Sequence, residues 1–469
     1  MNTVAASSST LYPNGGAVSL DGILTQIVTT QNHLTLSQNL RKFAPKEVRE
    51  TILASSLAGG QDPLTVLDVE RNTLGYLYIL SARLHSSASP TPALEVIEEF
   101  CSRFDPAQAR LAPDRGMSPR FFGREASPLI RSTVTYLAKG IVRLSESSNN
   151  LFSKLKFALG PLYNLVTRYP PSLSYLTTLH PIYLTICVST AHFSGALPLL
   201  SVPITTIDTS LSDLSYNDNL TYHYAGGMVL GALKRWREAE EYFEICVSAP
   251  GQVPAAIQLE ALKKLMLVQL ILYGETLQPP KYTLPALPRF LKGTPYSTFI
   301  KAYPQQRSAL RTLVSKDSET FENNLGLIHQ AIDHAPRWLI KKLTATYLTL
   351  GLADIAKEVG IESEDEVRAT IINMIETDDI SASISADGTV TFADAVTRFT
   401  KDEVDSMLAQ AQEQSRVLLE LERAMNVSSQ YLTKAIKYKD DTIWGVDEEM
   451  FPAGSSLSGG GWAEESIFS

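Results

Sequence analysis

Apolar residues recur every three to four positions from Leu20 to about Ile375, the spacing that gathers them on one side of a helix. Pro45 ahead of Lys46-Glu47-Val48 reads as proline in a first helical turn, with Val48, Ile52 and Leu53 as the apolar stripe behind it. Residues 64–84 repeat the pattern through Val66, Val69, Leu74, Leu77, Tyr78 and Leu80, and 93–104, 128–144 and 151–167 follow as amphipathic helices. The Pro-, Arg- and Gly-rich stretch 105–127, with Arg115, Arg120 and Arg124, reads as a solvated loop. Helix after helix on short connections predicts an α-solenoid or bundle.

A repeat signature favours the solenoid. Within residues 224–250, small Gly227 is followed by Leu230, Ala239, Phe243 and Cys246, with a proline at the end. That is tetratricopeptide (TPR) spacing: a small residue where two helices cross, an alanine at their closest approach and an aromatic wedge. Leu230 stands where an aromatic is usual and Cys246 where alanine is usual, while Trp236 and Tyr242 add bulk around the wedge. Residues 258–273 supply another apolar helix directly after it.

Further along, the period changes. Residues 336–348 read as a helix with Leu339, Ile340, Leu343 and Tyr347 on one side; 352–359 form a second, closed by Gly360. Ser363-Glu364-Asp365-Glu366 has capping-box spacing and opens a third through Val367, Ile371, Ile372 and Ile375. Ile380, Ala382 and Ile384 then alternate, Asp387-Gly388 turns the chain, and Val390 and Phe392 alternate again. Three helices and a hairpin make a winged helix. Its last strand, with Thr389, Val390, Thr391 and Phe392, is expected to offer an unpaired edge to a partner strand. Residues 401–425 form a long helix whose seam includes Val404, Met407, Ala411, Leu418, Leu421 and Met425, a second candidate contact surface. Residues 427–437 add another helix.

The fold expected is mostly α, a TPR-like helical-repeat solenoid followed by a winged-helix module and C-terminal helices. The domains expected are 1–218 (repeats), 219–334 (TPR-like bundle), 335–398 (winged helix), 399–437 (C-terminal helices) and 438–469 (disordered tail with acidic, Gly and Ser clusters).

Charge and chemistry narrow the function. The 469 residues carry 50 acidic against 41 basic side chains, a net charge of -9, which disfavours a polyanionic partner. Nucleic-acid binding through the winged helix is disfavoured further, because Arg368 is the only base between Ile361 and Ile380, against Glu362, Glu364, Asp365, Glu366, Glu376, Asp378 and Asp379. Cys101, Cys187 and Cys246 are far apart and read as small buried hydrophobes in a reducing compartment. The seven histidines form no metal-binding spacing, and no Walker-type loop, dinucleotide fingerprint or Gly-x-Ser-x-Gly occurs. Residues 169–207 lack charge, but Pro181, Pro198 and Pro203 interrupt them; they read as buried helices in a stack and not as a membrane span. The start of the chain has no signal-peptide pattern. No catalytic residue, metal or cofactor is expected, and the chain reads as soluble and intracellular.

Helical repeats running into an acidic winged helix resemble the PCI-domain family, named for the proteasome lid, the signalosome and eukaryotic initiation factor three. The pattern is carried by Lys342 to Leu350, by Ala353-Asp354-Ile355-Ala356, by Met374-Ile375 with Ile380 to Ile384, and by Asp387 to Phe392. Asp379 departs from it, standing where the family often has glycine. Within the family the chain is most similar to the scaffold subunits of the COP-9 signalosome, through Val66-Leu67-Asp68-Val69, Thr73-Leu74-Gly75, Tyr224 to Met228, Leu262-Lys263-Lys264 to Leu272, Pro280-Lys281-Tyr282 and Ser315 to Leu327. The lid's equivalent subunit is the near rival. The resemblance implies a non-catalytic scaffold in an assembly that removes a ubiquitin-like modifier from cullins and so regulates cullin-RING ubiquitin ligases. A different, zinc-containing subunit would perform the hydrolysis. The implied partners are the other signalosome subunits, reached through the winged-helix edge and the C-terminal helices, with no nucleic acid or membrane, in cytoplasm and nucleus.

Overall fold

The computed structural model describes residues 19–41, 51–86, 92–111, 133–146, 151–251, 253–280, 282–393, 399–429 and 431–433. The helix start expected at Pro45, the arginines Arg115, Arg120 and Arg124, and the tail 438–469 lie outside the described residues.

The first part is a run of helices: α1 (Leu20–Thr29), α2 (His33–Arg41), α3 (Thr73–His85), α4 (Leu94–Arg103), α5 (Thr133–Glu146), α6 (Leu151–Arg168) and α7 (Leu179–Ser189). Residues 64–84 do not make one helix. A short turn, Pro63–Val66, capped by the Asp62 carboxylate, ends before Asp68, whose Oδ1 accepts the Glu70 and Arg71 N–H groups at 3.0 and 2.8 Å and turns the chain into α3. The charge-free stretch is only partly helical. Around α7, strands β1 (Tyr175–Leu176) and β2 (Thr206–Ile207) pair in parallel. The expected loop opens with a one-turn helix, Pro106–Ala109, capped by Asp105.

Helices α8 (Tyr216–Ala232) and α9 (Trp236–Ser248) form the TPR-like pair. A Cβ on Gly227 would lie 2.7 Å from the Phe243 ring, so the absence of a side chain there is what lets the wedge seat. Leu230, Ala239, Phe243 and Cys246 are all buried, as the repeat signature requires. The next helix, α10 (Ala256–Tyr273), is apolar on two sides: Leu262, Leu265 and Val268 belong to the core of the preceding repeats, Leu267, Leu270 and Ile271 to a second core. That second core is completed by α11 (Pro295–Ala302), α12 (Arg307–Lys316) and α13 (Leu325–Thr344).

Pro336 does not begin a helix. It lies inside α13, which starts eleven residues earlier, at Leu325. Tyr347 and Leu348 fall beyond its end and are exposed. The winged helix follows as β3 (Thr349–Gly351), α14 (Leu352–Val359), α15 (Glu364–Glu376), β4 (Ser381–Ile384) and β5 (Thr389–Ala393), around a third core. Residues 394–469 form a separate unit, in which α16 (Lys401–Val427) is described.

Candidate functional site

The winged helix owes its shape to local signals. Gly360, at φ +75°, ends α14 in the left-handed conformation that favours glycine. The Gln306 amide packs where a Cβ would sit and donates to the Lys357 and Glu358 carbonyls. Ser363 Oγ caps α15 by accepting the Glu366 N–H. At the hairpin, Asp387 Oδ1 accepts the Thr389 N–H at 3.0 Å, which holds its carboxyl below the usual range, and Gly388 takes φ +81°. Ile340, Ile355, Val367, Ile371, Met374 and Val390 fill the core.

The module is tied to the helices before it by polar contacts that the sequence did not announce. Arg307 Nη1 meets Glu366 Oε1 at 2.6 Å. Arg337 donates to Asn373 Oδ1 at 2.8 Å, to Thr377 Oγ1 at 2.9 Å and to Asp379, closing the C-terminal end of α15. Asp379 therefore has a specific occupation at the position where glycine is usual. Trp338 packs on Gly274, the residue ending α10, and its Nε1 donates to the Ile271 carbonyl at 3.2 Å. Glu366 on α15 and Asp379 just beyond its end are thus held by the chain's own arginines.

The sheet corrects the expected edge. Strand order is β3-β5-β4, so Thr389, Val390, Thr391 and Phe392 lie on the central strand. Thr349, Leu350 and Gly351 pair with Thr391, Val390 and Thr389, and the Phe392 N–H donates to the Leu348 carbonyl at 2.8 Å. The partner strand β3 is three residues long, too short to show an alternating period, and residues 345–348 leading into it continue the apolar spacing of the helix before. Val390 and Phe392 do face the core, as alternation predicts, and Thr391 points outward. Among the described residues, β4 is an outer strand paired only to β5. The register settles which of its donors are free. The Phe392 N–H points to β3, so that of Thr391 points to Ser383; the Ala382 and Ile384 N–H groups then face away from the sheet.

The other candidate residues sit on α16. A capping box between Thr400 and Glu403 starts this 27-residue helix, and Arg416 bridges Glu413 and Glu420 along one side. Val404, Met407, Ala411, Leu418, Leu421 and Met425 recur at three, four and seven on it, and none is buried. Residues 431–433 are helical beyond it.

No group of three or more His, Cys, Asp or Glu among the described residues could hold a metal. All three cysteines are free and buried, and burial pushes the Cys187 thiol up to about 11. No described helix is long and apolar enough to cross a membrane.

Residues 130–287 match the family described as COP9 signalosome complex subunit 3, N-terminal helical repeats, and residues 326–394 match the PCI domain. A Drosophila melanogaster protein named COP9 signalosome complex subunit 3 is 29% identical over 449 residues, 89% of this chain and 96% of its own length. A Dictyostelium discoideum protein of the same name is 26% identical over 414 residues, 86% of this chain and 93% of its own. The helical-repeat match takes in α5 to α10, and the PCI match runs from α13 to the end of the last strand of the wing. The likeness to both relatives runs through repeats and wing together: the chain carries regions matched by the helical-repeat and PCI-domain models and is similar along most of its length to proteins named signalosome subunit 3.

Proposed function

We propose that this chain is a non-catalytic scaffold subunit of the COP9 signalosome, supporting cullin deneddylation and the regulation of cullin-RING ubiquitin ligases. The observation that carries the reading is likeness to relatives named signalosome subunit 3 along 89% of the chain. A contact role fits the chemistry, because the polar groups of the winged helix cap helices and tie elements together. Its carboxylate-rich third helix would be repelled by a phosphate backbone, which favours protein over nucleic acid as the partner.

Within this reading, other signalosome subunits bind at two places. The outer β4 strand accepts a neighbouring strand through the Ala382 and Ile384 N–H groups, and the apolar seam of α16 packs against partner helices. The working division is repeats over 1–218, a TPR-like bundle over 219–334, the winged helix over 335–398, C-terminal helices over 399–437 and a tail over 438–469, in a protein of cytoplasm and nucleus. The test is native purification of the tagged chain with identification of what accompanies it. Signalosome subunits in fixed proportion are expected; proteasome-lid subunits, or nucleic acid alone, would overturn the reading.

A further inference from the structure

Between Glu275 and Asp317 the chain carries seven basic residues and no acidic one, although its net charge is -9. The structure sorts these cations by what they meet. Arg307 is taken, its Nη1 lying 2.6 Å from Glu366 Oε1. Arg289, Lys292, Lys301, Arg311 and Lys316 are exposed, and none of the five makes an ion pair with a described residue. Two large aromatic side chains of the same stretch are also open to solvent: Tyr282 is 71% exposed and Phe290 59%.

Packing turns these groups outward. In the short helix Ala286–Leu291, Leu287 and Leu291 are buried in the core of the repeats, which leaves Arg289 and Phe290 on the solvent side. The buried residues of α11 are Tyr296 and Phe299, and those of α12 are Leu310 and Val314, so Lys301, Arg311 and Lys316 stand off the second core. The chain then folds back. The Phe321 ring, just past α12, lies 4.9 Å from that of Tyr296 and 6.3 Å from that of Phe299. That return sets Lys316 at the end of the α11–α12 pair where Lys292 leads in.

We propose that this surface docks a short acidic segment of a partner protein, one that carries an apolar side chain among its carboxylates. The free cations pair with the carboxylates, and the exposed rings receive the apolar group. Exposed aromatics beside arginine are a composition enriched in protein interfaces. A nucleic acid fits this surface less well, because its charge is continuous. Asp317, Glu319 and Glu322 follow Lys316 closely, and Glu366 stands on Arg307, so a phosphate backbone running past the basic stretch meets carboxylates. Salt screens that repulsion only beyond roughly 8–10 Å. A short segment ends before it. The surface is separate from β4 and from the seam of α16, and the assignment holds whichever assembly the chain joins.

The test uses the full chain and the fluorescein-labelled peptide Glu-Asp-Glu-Leu-Glu-Trp-Glu-Asp, with affinity read by fluorescence anisotropy. Saturable binding is expected, weakening about tenfold as salt rises from about 50 to about 200 mM. Arg289→Glu with Lys292→Glu, and separately Lys301→Glu with Arg311→Glu, should each weaken it at least about tenfold. Melting temperature should not change, because all four side chains are exposed. The two pairs lie on different elements, so misfolding of one leaves the other to decide. Phe290→Ser should weaken this peptide at least about threefold and leave an all-glutamate peptide of the same length unaffected. Lack of saturation, full affinity in either folded pair, an equal effect of Phe290→Ser on both peptides, or tighter binding of a single-stranded oligonucleotide at the same residues would each overturn the assignment.

Discussion

Replacing Gly274 by alanine tests how the repeats are joined to the winged helix. Gly274 ends α10 at φ +77°, and a Cβ there would lie 2.7 Å from the Trp338 ring. Two costs add. An L-residue in the left-handed region loses about 1–2 kcal/mol, and forcing a methyl group against a packed ring loses about 1–3 kcal/mol. The ring is the rigid part of a side chain whose indole N–H is bonded to the Ile271 carbonyl, so it yields little. The expected loss is roughly 2–5 kcal/mol, which at roughly 2–4 °C per kcal/mol for a unit of about 150–250 residues lowers the melting midpoint by roughly 4–20 °C. Gly60 provides the internal control: its φ is +76°, yet nothing lies within 4 Å of its Cβ position. Gly60→Ala should therefore show the backbone cost alone, about 1–2 kcal/mol. In the double variant Gly274→Ala/Trp338→Leu, the clash should vanish and the combined loss should fall short of the sum of the single losses. Thermal unfolding followed by circular dichroism reads the unsubstituted chain, the two alanine variants, Trp338→Leu and the double variant. Equal losses for Gly274→Ala and Gly60→Ala would refute the argument that Trp338 seats on the end of α10.

Thr391→Pro should destabilise the wing by about 1–3 kcal/mol, because this residue is on the central strand, its N–H faces Ser383 and proline leaves that acceptor unpaired. Ala382→Pro, which removes an outward-facing donor, should keep the helical circular-dichroism signal and lose co-purifying subunits; normal assembly would remove β4 from the interface. Leu418→Glu with Leu421→Glu should leave the free chain's helicity and melting unchanged, since neither residue is buried, but abolish co-purification if the seam of α16 packs on partners. Acid should destabilise the repeats through His180. Burial pushes its pKa down to about 4 against an unfolded value near 6.5, so the unfolded chain binds the proton first. The contribution is intact above pH 6.5 and is lost as pH falls towards 4, by about 3 kcal/mol from this group. His180→Phe should flatten that part of the stability profile, measured by urea unfolding between pH 4 and 7.

Much of the architecture was legible along the chain, because it depends on local preferences. Apolar spacing marked α8, α9 and α10, and the small Gly227 opposite Phe243 identified their crossing. Ser363 and Gly360 punctuated the winged-helix helices, and Asp387-Gly388 marked the hairpin. The family likeness followed from those same residues. What the sequence could not decide was which elements meet. Strand β3 is three residues long, with no period to detect, yet by pairing with Thr389–Ala393 it moves that strand from the edge to the centre and transfers the free donors to β4. Pro336 looked like a helix start because proline favours a first turn, but packing in the second core carries α13 through it. Arg307 with Glu366, Arg337 with Asp379, and Trp338 on Gly274 join residues 42 to 64 positions apart. The physical reason is the same in each case: helix caps and turns are set by neighbours a few residues away, whereas strand order, ion pairs between helices and a ring seated on a glycine exist only once the chain has folded back on itself.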